Sequence, residues 1–148
     1  MSGVKNLIET FSRSFNRDAW HGPAVMEVVE GLTPAVANLR IGDGHSILEL
    51  LGHMVAWRNF GIKKLDSIAD YKVTDSLNFP THLSIEEVLM NLQKSQKQLV
   101  EKIGQFSDAQ LEEKVPGQAY SFFTLLHGII HHDLYHLGQI VMIKKYHN

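Results

Sequence analysis

The sequence predicts an all-α chain folded as a four-helix bundle, and three observations predict it. Apolar residues recur with a helical period along almost all of the 148 residues. No segment alternates as a strand does. Two serines, Ser46 and Ser84, each stand three residues before a glutamate at the head of a long periodic stretch. The first helix sets Val4, Leu7, Ile8, Phe11 and Phe15 on one face, then breaks at Trp20-His21-Gly22-Pro23, where glycine and proline oppose continuation. Trp20 is expected to anchor that break by packing, with Pro23 fixing the turn. A short piece follows with Ala24, Val25, Val28, Val29 and Leu32. Thr33-Pro34 then reads as an N-cap with proline at the first helical position, ahead of the Gly42-Asp43-Gly44 loop.

Ser46-Ile47-Leu48-Glu49 has capping-box spacing and opens a long helix with Ile47, Leu50, Leu51, Met54, Trp57 and Leu65 to one side and His53 among them. Residues 69–82 are polar and contain proline, and are expected to be a long crossover. Ser84-Ile85-Glu86-Glu87 repeats the cap and opens a helix with Ile85, Val88, Leu89, Leu92, Leu99 and Ile103 in register. Ser107 to Glu113 is expected to form a helical turn and Val115-Pro116-Gly117 a loop. The last helix, from about Ser121 to Tyr146, carries Leu125, Ile129, Ile140 and Ile143 in one stripe. A second stripe of Leu126, Ile130, Leu134, Leu137 and Val141 lies roughly 120° away. That second stripe is expected to meet another part of the bundle or a second copy of the chain.

With 44% hydrophobic and 20% charged residues, the composition fits a single domain over residues 1–148, large enough to fold on its own core. The absence of cysteine excludes disulfides, thiolate metal sites and a cysteine nucleophile. Fourteen basic against sixteen acidic residues give a net charge of -2 and no reason to expect nucleic acid as partner. The amino-terminal segment lacks a signal-peptide core, and no apolar run is long enough to span a bilayer. A cytoplasmic protein without a membrane partner is expected.

Nine histidines are present, four of them between His127 and His136. His132 and His136, four apart on a helix, place both imidazoles on one face within reach of a single metal ion. They lie beside Leu125 and Ile143, toward the core, whereas His127 and His131 point elsewhere and look peripheral. An open metal site needs a third protein ligand, and His53, in an otherwise apolar stretch, is the best candidate. Glu49 and Gln139, each one turn from a histidine, are candidates for fixing a ring tautomer. The competing explanation is that these histidines are satisfied by backbone carbonyls or water. Neither the H-E-x-x-H pattern nor a Glu-x-x-His pair occurs among the long helices.

The strings HGIIHHDLYHLGQI and HSILELLGHMVAWR, together with Trp20-His21-Gly22-Pro23, resemble the DinB-like family over almost the whole chain. The resemblance implies an up-up-down-down four-helix bundle, generally a homodimer, holding one divalent metal on His53, His132 and His136. Three imidazoles suit several first-row metals, and zinc or nickel is the expected cofactor. Such a site could lower the pKa of bound water toward about 7 or deprotonate a thiol. Characterised relatives include thiol S-transferases, thiol-dependent isomerases and hydrolases, so a low-molecular-weight thiol or another small molecule is the expected substrate. Trp57 and Arg58 could line the pocket, Arg58 on a substrate carboxylate; equally, Trp57 could be core and Arg58 solvated. The alternative function is a metal-binding or stress-response bundle without turnover.

Overall fold

The computed structural model describes residues 3–148; the first two residues of the expected 1–148 domain lie outside the described residues. Eight helices occur among the described residues: α1 (Gly3–Phe15), α2 (Val25–Val29), α3 (Pro34–Ala37), α4 (Ile47–Leu65), α5 (Asp75–Asn78), α6 (Ile85–Ile103), α7 (Asp108–Leu111) and α8 (Phe122–Tyr146). No strand is found there, only an isolated bridge between Lys114 and Ser121 that closes the loop before α8. The helices start where their caps place them. Ser46 Oγ accepts from the Glu49 amide at 3.1 Å while Glu49 accepts from the Ser46 amide at 2.7 Å, and Ser84 and Glu87 do the same at 3.1 and 2.8 Å. Ser107 and Gln110 form a further box that opens α7 inside the expected turn.

The four long helices α1, α4, α6 and α8 form the body, with α4 and α1 each packed on both α6 and α8. Side-chain pairings fix their directions. Along α4 and α6, Arg58 meets Gln96 and the α4 C-cap Asp66 meets Lys102, so these two helices run parallel. Along α4 and α8, Gly61 faces Ile129, Arg58 faces Asp133 and His53 faces His136, so these run antiparallel. Gln96 donates to the Phe11 carbonyl, and Gly104 packs near Ile8, so α1 opposes α6. The order is therefore up-down-down-up, which corrects the expected up-up-down-down. The physical reason is the crossover. A parallel pair obliges the chain to return along a 19-residue helix, about 28 Å at 1.5 Å per residue, and the long connection falls between α4 and α6.

Two apolar clusters fill the interior. One gathers Phe15, Leu51, Met54, Val88, Leu92 and Ile140; the other gathers Leu7, Phe11, Leu99, Ile103, Leu126 and Ile130. Between them lies a polar layer of side chains from α4, α6 and α8 centred on Arg58, which is only 1% exposed. Its guanidinium donates to Ser95 Oγ at 3.0 Å and to Asp133 and Gln96, and lies 4.8 Å over the Phe15 ring. Both apolar stripes of α8 face these clusters, so the second stripe meets the rest of the bundle. Trp20 is fully exposed. The break it was expected to anchor is made by the backbone, Asp18 at φ 62° and Gly22 at φ 129°, while the buried Ala24 and Val25 supply the packing.

Candidate metal centre

His53 is carried on α4 and His132 and His136 on α8, and the antiparallel pairing of these helices brings the three rings together. His132 Nε2 lies 3.0 Å from His53 Nε2 and 3.2 Å from His136 Nε2. Two ligands of a tetrahedral ion with bonds of about 2.0–2.1 Å stand roughly 3.3 Å apart, so the spacing is that of adjacent corners of one coordination sphere. No other group of three or more histidine or acidic side chains among the described residues could hold a metal ion.

Ring tautomers follow from the acceptors at the far nitrogens. His53 Nδ1 donates to the Asn78 carbonyl at 2.6 Å, and His136 Nδ1 donates to Gln139 Oε1 at 2.6 Å. A neutral imidazole that spends its proton at Nδ1 keeps a bare lone pair at Nε2. Two lone pairs therefore converge on the region His132 Nε2 also faces, where His132 could donate to only one of them. His132 Nδ1 is buried without a hydrogen-bond partner. An ion among the three Nε2 atoms would take up all three lone pairs, with His132 Nδ1 alone still unpartnered, and on the convergence of the Nε2 atoms the residues fit a metal. Protonation is disfavoured at all three. Burial, then the neighbouring His136 and His53 rings, pulls His132 down to about 4. Burial likewise lowers His53 and His136, against the bonds to Asn78 and Gln139 that favour the charged forms.

The crossover completes the site. Its short helix α5 ends on Asn78, which accepts from His53 through its carbonyl and from Trp57 Nε1 through its side-chain oxygen at 3.1 Å. Phe79 is sandwiched between His53 and His45, with ring centroids 4.0 and 3.7 Å away and planes within 5°. Pro80 closes against Gly52, where even a methyl group would come within 2.8 Å of it. Residues 78–80 thus form a strap over the outer side of His53.

Of the candidates for fixing a tautomer, Gln139 does so. Glu49 does not, because its carboxylate is spent on the Ser46 cap, with Arg40 at 3.4 Å and His45 at 3.8 Å, and those contacts hold it below the usual carboxylate range. Arg58 lines no pocket and is not solvated: it is paired with Asp133 inside the core. Burial lifts Asp133 to about 6, with the Arg58 charge pulling the other way. Trp57 does reach the site, its ring centroid 6.0 Å from that of His132. His127 and His131 stand outside the cluster; His127 donates from Nδ1 to the Phe123 carbonyl at 2.8 Å. Asn78 and Phe79 were not singled out by the sequence, whose one relevant signal is Pro80, since a proline holds the residue before it extended.

Among the described residues the chain is all-helical, and three inward histidines on two facing helices could hold one metal ion between them. A family model of the DinB superfamily matches residues 18–140, and the chain belongs to that superfamily. Neither curated proteins nor solved structures give a significant match.

Proposed function

We propose that the protein is a mononuclear divalent-metal enzyme that activates a thiol or water at the His53–His132–His136 centre. The observation that carries it is the pair of locked tautomers: Asn78 and Gln139 aim two Nε2 lone pairs at the position His132 Nε2 also faces. A divalent ion held there would act as a Lewis acid with at least one free corner, at which water or a thiol could lose its proton near neutral pH. His53 and His136 bind through Nε2 and return electron density through their Nδ1 hydrogen bonds, which strengthens them as ligands. Trp57 and Phe79 keep the approach apolar and hold bulk water from the imidazoles. Zinc or nickel suits the all-imidazole set. No helix among the described residues is long and apolar enough to cross a membrane. We place the protein in the cytoplasm, with a small molecule as its substrate. Tyr135, Met142 and Tyr146, exposed along α8, are where we place contact with a second copy.

The test is metal analysis followed by turnover. Protein refolded with zinc, nickel or manganese should retain about one equivalent, and His136→Ala should lose it with helical content unchanged. Retention below a tenth of an equivalent removes the proposal. Full retention without thiol transfer to an electrophile, or ester or amide hydrolysis, leaves a non-catalytic metal-binding bundle.

A further inference from the structure

Beside His132 a cleft of about 220 Å³ opens between α4 and α8. Its walls are Trp57, Phe60, Tyr120, Leu125 and Ile129, with His132 at one end. No lining side chain is acidic, lysine or arginine. Burial keeps the Tyr120 phenol neutral by pushing its pKa up, and Arg58, the one cation next to Trp57 in sequence, is turned into the core and paired with Asp133. Pairing with a charged side chain therefore cannot select a substrate here, whereas an anionic group entering would lose part of its hydration with no protein cation to meet. The volume lies under the roughly 300 Å³ at which drug-sized sites begin, so it suits one ring or a short alkyl chain. Gly128, exposed at the cleft, has no side-chain atom beyond its chain neighbours within 4 Å of where a Cβ would stand.

We propose that this cleft is the substrate-side subsite of the three-histidine centre and takes an uncharged aryl or short alkyl group. The assignment deepens the metal-enzyme reading, since it places that group's reactive end toward the ion. The cleft itself is formed by the protein alone.

The test uses that independence. In a Trp20→Phe background, where Trp57 is the only tryptophan, metal-free protein is titrated with benzyl alcohol and separately with benzoate while Trp57 fluorescence is followed. Benzyl alcohol should give a saturable change with an apparent affinity at least tenfold tighter than benzoate. Gly128→Leu, which fills the cleft from a position with free space, should weaken it at least tenfold. A second arm loads cobalt(II) and follows the thiolate-to-cobalt absorption band with benzyl thiol and with mercaptoacetate; benzyl thiol should bind at least tenfold tighter. Cobalt retained at wild-type stoichiometry in Gly128→Leu shows that the variant has not disturbed the metal centre. Equal or tighter binding of the anions, or indifference of benzyl alcohol to Gly128→Leu, overturns the subsite. A protein that binds benzyl alcohol as described but no metal keeps the cleft as an apolar binding site and overturns its place at a metal centre.

Discussion

Replacement of Arg58 by methionine keeps much of the side chain's length and removes three donors at once, those to Asp133, Gln96 and Ser95. Asp133 is then left buried with neither carboxylate oxygen partnered, because Oδ1 already has no hydrogen bond and Oδ2 loses the guanidinium. Breaking a buried ion pair from one side costs about 3–5 kcal/mol. For a domain of this size that corresponds to a fall in Tm of roughly 6–20 °C, at about 2–4 °C per kcal/mol. Adding Asp133→Leu removes the stranded charge, and the double variant should recover most of the loss. Asp133 already has a folded pKa above that of an unfolded aspartate, and loss of Arg58 raises it further. The folded variant therefore binds this proton more tightly than the unfolded chain, and its deficit should shrink as pH falls from 8 to 5. Urea unfolding of metal-free protein, followed by circular dichroism at both pH values, measures each quantity. A loss below about 1 kcal/mol for Arg58→Met, or strictly additive effects in the double variant, would refute the assignment of this layer as a charge pair on which the fold depends.

Gln139→Leu should weaken metal affinity about 10–100-fold by releasing the His136 ring, measured by competition with a chelator of known affinity. Gly52→Ala should displace Pro80 and with it the strap over His53, costing about 1–3 kcal/mol and lowering metal affinity, while an alanine at the uncrowded Gly128 should leave affinity alone. In the metal-free protein the lowered His132 pKa means that the unfolded chain binds this proton first. Stability should therefore hold above about pH 6.5 and fall toward pH 4, by no more than about 3 kcal/mol after allowance for partial solvent screening. Sedimentation at micromolar concentration should give twice 16.8 kDa; a single-chain mass would remove the second copy from α8.

The helices were legible because their signals are local. The serines of the capping boxes and the periodic apolar positions act within one or two turns, and Ser46 and Ser84 start helices where their spacing says. The histidine pair on α8 was legible for the same reason, since four residues on a helix define one face. What lay beyond reading was set by tertiary partners. Glu49 cannot both cap α4 and orient His53, and the cap wins because its geometry is fixed by the adjacent turn. Arg58 beside Trp57 looks like a pocket cation or a solvated one until Asp133 arrives from α8, 75 positions away. Asn78 offers its main-chain oxygen to His53, and every residue has one, so no side-chain pattern could mark it.

The strap at residues 78–80 belongs to the segment that the parallel arrangement of α4 and α6 makes unavoidable. Because this span recrosses the bundle and also sets how strongly His53 gives up its electrons, the electronic character of the centre can drift through changes in a connector while every ligand stays in place.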